Sequence, residues 1–504
     1  MASATLTGAW AEFERRMGEI EDLSATLSLL SWDEQTYCSR RGREARAQHL
    51  ATLSTLTHER VVDPAYGEVL DRLAEEPGEL DEVRRAMVRN VKHDRDRAVR
   101  LPAELVHALA VTGSRSNQAW EEARRTSDFA VFRPHLEAML ALKLEQADAL
   151  GHEGERYDAL LEAFEPGMRV AQLAPILDGL REELVPFVRR VLDRPAPDTS
   201  FLDGPYPHDR QLELSRRVLG DFGFDFEAGR QDSSTHPFCG GPGPTDVRLT
   251  TRVYDSLEPG CLYSTMHEAG HGLYEQGLAT VHPRTSLAHA PSLGLHESQS
   301  RFWENVVGRS QAFWQHYLPV ARAMFPGFLD HVGPEEMARG VNKVAASAIR
   351  VDADEVTYNL HILVRFDLEL ALLREELPVA DLPEAWRDRM ERLVGYTPRD
   401  DREGVLQDIH WSWGELGYFP TYTLGNLYAA AVAEAMRADV DIEGCTAAGD
   451  FAPILAWLRD RIHRHGHVYS GEELMQRATG RPLGHDPFMR YLTTKYGALY
   501  GLDG

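Results

Sequence analysis

The feature that most constrains this chain is the pentapeptide HEAGH at residues 267–271. Apolar residues recur around it at spacings of three and four, which predicts one amphipathic helix from Leu257 to Gly277. On this helix His267 and His271 lie one turn apart and point the same way, so both imidazoles can bind one zinc ion. Glu268 is offset by about a third of a turn, which suits a general base for the water that zinc activates. The motif therefore predicts a zinc hydrolase.

A catalytic zinc needs three protein ligands and an open fourth position, so the third ligand must come from elsewhere in the chain. With 21 histidines in 504 residues, HExxH arises by chance in roughly one such chain in twenty, so the pentapeptide alone is not decisive. Glu297 opens a second predicted helix, for which Ser292 is the expected N-cap. Glu304 lies seven residues later on the same face, and Glu275 lies one turn past His271. Spacing alone favours Glu297 only modestly over these two rivals.

The composition argues against several other functions. Asp and Glu total 79 against 54 Lys and Arg, a formal net charge of −25, which argues against binding nucleic acid or an anionic membrane. Residues 1–20 lack the apolar core of a signal peptide, and no run of about 18 uncharged apolar residues predicts a membrane span. No CxxC pair occurs, so we expect reduced thiols at the four cysteines, Cys38, Cys239, Cys261 and Cys445. We therefore expect a cytoplasmic protein.

Hydrophobic periodicity predicts a mainly helical fold. An amino-terminal half, residues 1–195, carries long segments rich in Ala, Leu, Glu and Arg, such as 105–125 and 132–150. Helical patterns resume after the metal motif, for example at 358–373 and 422–436. These lengths and patterns are typical of packed helices in a globular protein.

Two breaks rich in Pro and Gly interrupt the helical pattern, at residues 194–209 and 231–245. Residues 247–253 then alternate apolar and polar side chains, which predicts a short strand and a small sheet just before the metal helix. Neither break is long enough to separate independent domains. We therefore predict one catalytic unit, residues 1–504, in which the helical half precedes a metal-bearing catalytic half at 210–504.

A resemblance to a known family emerges when six short motifs are taken together. They are HPF at 236–238, DVRLT at 246–250, HEAGH at 267–271, HESQ at 296–299, AIR at 348–350 and GVLQDIHW at 404–411. In this order they resemble the carboxypeptidase Taq family of zinc carboxypeptidases. A Trp-Asp pair at 32–33 extends the resemblance across nearly the whole chain. One departure is visible, since residues 37–42 replace the family's usual segment of Pro and Gly after that pair.

The resemblance implies a fold and an activity. It implies a helical, saddle-like body with a deep central groove, as in the group of thimet oligopeptidase and angiotensin-converting enzyme. Family members are commonly homodimers that remove single residues from the carboxyl termini of peptides with broad side-chain tolerance, and cobalt often substitutes for their zinc. Glu297 matches the family's third zinc ligand, which raises it well above Glu304 and Glu275.

The resemblance also suggests a pair that stabilises the scissile carbonyl. His410 and Tyr422 are similar to a histidine and a tyrosine that face this carbonyl in thimet-type oligopeptidases. Tyr418 is a near competitor for the second position, and either tyrosine is equally expected as a core aromatic. Neutral or cationic donors at these positions would stabilise the charge that develops on the oxygen.

An exopeptidase must also bind the free carboxylate of its substrate. Arginine fits this task, because its planar fork makes two parallel charge-assisted hydrogen bonds to a carboxylate. Arg350 is the expected residue, on the family match alone, since periodicity does not prefer it over Arg365 or Arg248. Most arginines in such a chain are surface ion-pair partners.

Other motif residues have expected supporting roles. His236 is expected to line the substrate groove, or to fix a turn before a strand. Gln299 and Asp408 are expected to orient the zinc ligands through hydrogen bonds. Trp32 and Asp33 have no chemistry that the sequence reveals.

Two other functions stay open at the level of sequence. An endo-oligopeptidase on the same scaffold would share the zinc ligands and Glu268 but need no anchor for a free carboxylate. A catalytically silent peptide-binding or zinc-binding protein would have no use for a base beside the metal, so Glu268 argues against it. The leading prediction is a zinc-dependent metallocarboxypeptidase that acts on peptides.

Overall fold

The computed structural model describes residues 2–258, 260–278 and 282–502. Its architecture is mainly helical with one small sheet, which confirms the predicted fold class. The amino-terminal helices are α1 Ala2–Thr36, α2 Arg43–Val62, α3 Pro64–Glu75, α4 Glu82–Arg100, α5 Ala103–Thr126, α6 Phe129–Leu150, α7 Arg156–Leu161, α8 Val170–Leu192 and α9 His208–Asp221. Side-chain caps fix several starts; Asp63 and Asp81, for example, accept backbone amides at the beginnings of α3 and α4.

The metal-bearing half contains the sheet and the remaining helices. They are β1 Gly229–Ser233, β2 Cys239–Gly243, β3 Asp246–Thr251, α10 Cys261–Leu278, α11 Leu293–Arg301, α12 Gln311–Met324, α13 Pro334–Val341, α14 Tyr358–Leu373, α15 Leu382–Val394, α16 Pro420–Met436, α17 Ile442–Ala448, α18 Ala452–Arg461, α19 Gly471–Thr479 and α20 Asp486–Tyr500. A π-helix, Phe302–Gly308, continues α11 directly. None of the helices in the described part of the chain is long and apolar enough to cross a membrane.

The sheet differs in part from the prediction. Its strands lie in the order β1-β3-β2, with β3 parallel to β1 and antiparallel to β2. The predicted strand at 247–253 corresponds to β3, but the break predicted at 231–245 also contains β2 and the end of β1. Periodicity missed β2 because its sequence, CGGPG, has no alternating apolar side chains. Gly241 has a φ of +144°, and a Cβ there would lie 2.2 Å from the Asp246 carbonyl oxygen, so this strand requires glycine.

The first helix is attached to this sheet through an aromatic residue. Trp32 is buried, and its ring lies 4.1 Å from the Arg248 guanidinium carbon and 5.1 Å from that of Arg230. The neighbouring Asp33 pairs with Arg46 of α2 at 2.5 Å. The Trp-Asp pair therefore has a structural role, which is to join α1 to both the sheet and α2.

The buried apolar residues form two clusters among the described residues. The larger one extends from Trp120 to Tyr500 and includes α10, α11, α14 and α16. The smaller one joins α1, α3 and α4 to Leu287 and Val468 of the metal-bearing half. Both clusters combine residues from before and after the irregular segment 193–207, so within the described ranges neither half forms a buried apolar cluster of its own.

Candidate active site

The metal motif lies on α10, which packs closely against α11. Ser292 is the N-cap of α11, as predicted, and accepts the Leu295 amide at 3.1 Å. A Cβ on Gly270 would lie 2.3 Å from the Gln299 carbonyl oxygen. Glycine at this position therefore allows the two helix backbones to touch, and this contact brings Glu297 of α11 towards the histidines of α10.

Three side chains converge between these helices. One ligand atom each from His267, His271 and Glu297 lies within 4.8 Å of the others. The Glu297 carboxylate oxygen is 3.5 Å from Nε2 of His267 and 3.4 Å from Nε2 of His271. Two imidazole nitrogens and one carboxylate oxygen are a donor set typical of a catalytic metal with three protein ligands.

Each imidazole is oriented by a hydrogen bond at its other nitrogen. Glu304 binds Nδ1 of His267 at 2.9 Å, and the carbonyl oxygen of His296 accepts from Nδ1 of His271 at 3.1 Å. A proton on Nδ1 leaves the Nε2 lone pair for the metal. Sequence spacing also allowed Glu304 or Glu275 as the third ligand. Glu304 instead binds the far nitrogen of His267, and Glu275 binds Nε2 of His296 at 2.8 Å.

The Glu297 carboxylate is held in its charged form. Burial on its own would raise its pKa, but Arg301 and His267 hold the pKa of Glu297 well below its usual value. Arg301 donates from Nε at 2.7 Å and Ser300 donates its hydroxyl at 3.0 Å. A Cβ on Gly425 of α16 would lie 2.4 Å from Glu297 Cγ, so this helix closes the opposite side.

Glu268 is the remaining carboxylate of the motif. It is buried, and burial raises its pKa to about 7, against the opposing effect of His267. A carboxylate with a pKa in this range can both accept and return a proton near neutral pH. Its position next to the ligands therefore suits a general base.

An aromatic cluster contains the predicted carbonyl-stabilising pair. The His410 ring lies 5.2 Å from that of Tyr418 and 6.5 Å from that of Tyr422, and the two tyrosines share a hydrogen bond. Burial lowers the pKa of His410 to about 4, so its imidazole is neutral at pH 7. Glu297 contributes to the raised pKa of Tyr418, whereas Arg350 opposes the rise at Tyr422. The two tyrosines therefore both remain candidates for the donor beside His410.

Arg350 lies in the same region. Its guanidinium carbon is 5.0 Å from the Tyr422 ring centre, and the side chain is buried. It donates to Asp408 from Nε and Nη2 and to the Tyr358 hydroxyl from Nη1. A guanidinium has five N–H groups, so one remains on each Nη for a further acceptor. Arg365 also binds Asp408 and is fully buried.

Comparison with known proteins identifies the family. The model of the carboxypeptidase Taq (M32) metallopeptidase family matches residues 12–496. The chain belongs to this family. Like its relatives, it is a metallocarboxypeptidase and therefore a peptide hydrolase.

The relatives match over almost their full length. Thermostable carboxypeptidase 1 of Thermus thermophilus is 44% identical, with 97% of this chain and 98% of that protein covered. Carboxypeptidase 1 of Bacillus subtilis is 35% identical, with the same coverage of 97% and 98%. The crystal structure of an M32 carboxypeptidase from Deinococcus radiodurans R1 gives a TM-score of 0.95 at 41% identity, covering 98% of this chain and all of that one.

Several family-motif residues have contacts other than those expected from the sequence. Gln299 pairs with His463 at 2.9 Å and Asp408 binds Arg350, so among the described contacts neither touches a metal ligand. Glu304 has the orienting role instead. His236 lies exposed in the loop between β1 and β2, where its carbonyl oxygen accepts the Ser234 hydroxyl.

Sequence reasoning missed two residues that hold Glu297 in place. Arg301 lies four residues after Glu297 on one helix face, a spacing that could have revealed the ion pair. Glu165 accepts the Gly294 amide at the start of α11 and is fully buried among its neighbours, which raises its pKa to about 8. It is 129 residues away in sequence, so no local pattern could have found it.

Proposed function

We propose that this metallocarboxypeptidase is zinc-dependent and removes single residues from the carboxyl termini of peptides with broad side-chain tolerance. The observation that carries the proposal is the convergence of His267, His271 and Glu297 beside a buried Glu268. Two imidazoles and a carboxylate favour zinc, and the family resemblance adds cobalt as a possible substitute. When bound, the metal lowers the pKa of water and polarises a carbonyl oxygen.

Glu268 is the general base of the proposed reaction. In its ionised form it takes a proton from the attacking water, and in its protonated form it passes this proton to the leaving amine. Burial supplies the raised pKa that both steps require. A surface carboxylate with an ordinary pKa would be a poor proton donor at pH 7.

His410 and Tyr422 are proposed to stabilise the negative charge that develops on the scissile carbonyl oxygen. The neutral imidazole and the tyrosine hydroxyl are both hydrogen-bond donors, and they lie in one aromatic cluster. Tyr418 is the alternative donor, since its hydroxyl bonds to that of Tyr422 and its ring lies 5.2 Å from that of His410.

Arg350 is proposed to bind the free carboxylate of the substrate. Its two remaining N–H groups lie on neighbouring Nη atoms, and this pair matches the two oxygens of a carboxylate. Asp408 and Tyr358 fix the plane of the guanidinium, so little side-chain entropy is lost on binding. The exposed His236 is proposed to line the same substrate groove.

The assembly and location are proposed from the family resemblance and the cysteines. Homodimers are common in the family, and sedimentation velocity would test this state directly. All four cysteines are free, as expected for a protein of the reducing cytoplasm. Peptides are the proposed partners, whereas the net charge of −25 disfavours nucleic acid.

The decisive experiment follows the products of a free-acid peptide by mass spectrometry, with zinc-loaded protein. We expect stepwise loss of residues from the carboxyl end, and almost no reaction with the same peptide amidated at its carboxyl terminus. Internal cleavage of both peptides at similar rates would show an endo-oligopeptidase instead. Glu268→Gln should lower kcat by about 10²- to 10⁴-fold while keeping the metal; full activity of this variant would refute the assigned base.

A further inference from the structure

The carboxylate of Glu369 lies at the centre of a buried hydrogen-bond cluster outside the metal site. Glu369 belongs to α14 and has no exposed surface. One oxygen accepts the Trp411 indole N–H at 2.7 Å. The other accepts the Tyr157 hydroxyl at 2.9 Å and the Gly417 amide at 3.0 Å. Burying a carboxylate costs free energy unless hydrogen-bond donors satisfy its oxygens. These three donors therefore define the position of the Glu369 carboxylate closely.

Two of the three donors lie at the ends of one short segment. Trp411 directly follows His410, and Gly417 directly precedes Tyr418. The Glu369 carboxylate therefore binds residues near both ends of the segment 410–418. Gly417 has a φ of +89°, and a Cβ there would lie 2.9 Å from the Leu161 amide nitrogen, so the segment is also pressed against the helical half.

We propose that Glu369 is a positioning residue of the carboxypeptidase reaction, which fixes residues 410–418 and thereby the imidazole of His410 and the ring of Tyr418. This inference rests on the proposed function, in which His410 and a tyrosine stabilise the scissile carbonyl. Hydrogen bonds are directional, so donors that converge on one carboxyl group fix a loop more firmly than apolar contacts of the same area. Preorganised donors need no rearrangement as charge develops.

The third donor provides a matched control. Tyr157 of α7 binds the same oxygen of Glu369 but is not part of residues 410–418. Tyr157→Phe and Trp411→Phe each remove one hydrogen bond to the same buried carboxylate. Trp411→Phe also shortens a buried aromatic side chain, so the two variants are compared at similar Tm. Only Trp411→Phe releases an end of the segment, so the pair separates positioning from general stability.

The test measures kcat, KM, metal content and Tm of the zinc-loaded protein with a free-acid peptide. Glu369→Gln keeps the size of the side chain, but its amide would face at least one donor, the Trp411 indole N–H or the Gly417 amide. We expect Glu369→Gln and Trp411→Phe to lower kcat at least about tenfold, with metal content unchanged, and Tyr157→Phe to keep kcat within about twofold. Unchanged kcat in Trp411→Phe, or an equal loss in Tyr157→Phe at a similar Tm, would overturn the proposal.

A double-mutant cycle shows whether Glu369 acts through the segment. In a His410→Gln background, Glu369→Gln should lower kcat by much less than it does alone, because part of the group that it positions is gone. If the fold-loss in kcat of the double variant equals the product of the two single losses, the inference is contradicted. Failure of the proposed function is distinct from this result, since the wild-type protein itself would then not release residues from the carboxyl end.

Discussion

Among single residues, Glu304 and Glu275 have different roles near the metal ligands. Both were alternatives to Glu297 as the third ligand when only sequence spacing was considered. Glu304 orients His267, whereas Glu275 binds His296. Glu304→Gln should weaken metal binding by about 10- to 100-fold, because the imidazole loses its charged partner. Glu275→Gln is the control and should change metal affinity much less. Metal titration of the apo protein measures both; equal losses would show that Glu304 has no special role.

The carboxylate anchor gives a second test at this scale. Arg350→Lys keeps the positive charge but loses the planar guanidinium that can make two parallel hydrogen bonds. We therefore expect kcat/KM for free-acid peptides to fall about 10- to 100-fold, which corresponds to the loss of one or two charge-assisted hydrogen bonds. The slow reaction with amidated peptides should not change. Arg365→Lys is the control, because Arg365 also binds Asp408 but is fully buried. The anchor is misassigned if Arg365→Lys reduces the preference for free acids equally.

Much of the candidate site could be predicted from the sequence, because two of its three proposed ligands lie close together in one short motif. The spacing of HExxH places His267 and His271 on one helix face, and the predicted strand and helices around them agree with the structure. Spacing favoured Glu297 only modestly over Glu304, because both lie on the same predicted face. The choice depends on how α11 packs against α10, a long-range contact that no window of sequence reports.

Among the secondary-structure elements, the close contact between α10 and α11 depends on Gly270, which has no side chain. Gly270→Ala would put a Cβ 2.3 Å from a backbone oxygen of α11, so one helix must move. We expect a loss of about 1–3 kcal/mol in stability together with weaker metal binding, since Glu297 moves with α11. Gly113→Ala on α5 is the control: its Cβ would be 3.7 Å from Met139, and it should stabilise the fold by about 0.5–1 kcal/mol. Unchanged metal affinity in Gly270→Ala would contradict this coupling.

At the scale of the whole molecule, the two halves predicted from the sequence share their cores. The larger cluster crosses the irregular segment 193–207, and the smaller one joins α1 to Val468. The proline content predicted the break in secondary structure but could not show that packing continues across it. We expect one cooperative thermal transition for the full chain, and fragments 1–195 and 210–504 that do not fold separately. Two resolved transitions in calorimetry would indicate independent units.

Buried and paired histidines give the molecule two opposite responses to pH. Burial lowers the pKa of His463 to about 3, so below pH 6.5 the unfolded chain binds a proton that the folded protein does not. Its contribution to stability is therefore present above pH 6.5 and is lost as the pH falls towards 3, at up to about 1.4 kcal/mol per pH unit. His93 is the reverse case: Asp94 and Glu162 raise its pKa to about 9, so its contribution is full below pH 6.5 and is lost as the pH rises through 9.

Two variants separate these responses. In His463→Gln, Tm should fall less steeply than in the wild type between pH 6.5 and 4.5, because one proton fewer is taken up on unfolding. In His93→Gln, the deficit in Tm should be greatest near pH 6 and should shrink above pH 9, where the wild type loses the same ion pair. Differential scanning calorimetry across this range measures both. Parallel Tm profiles for a variant and the wild type would show that its histidine keeps an ordinary pKa in the folded protein.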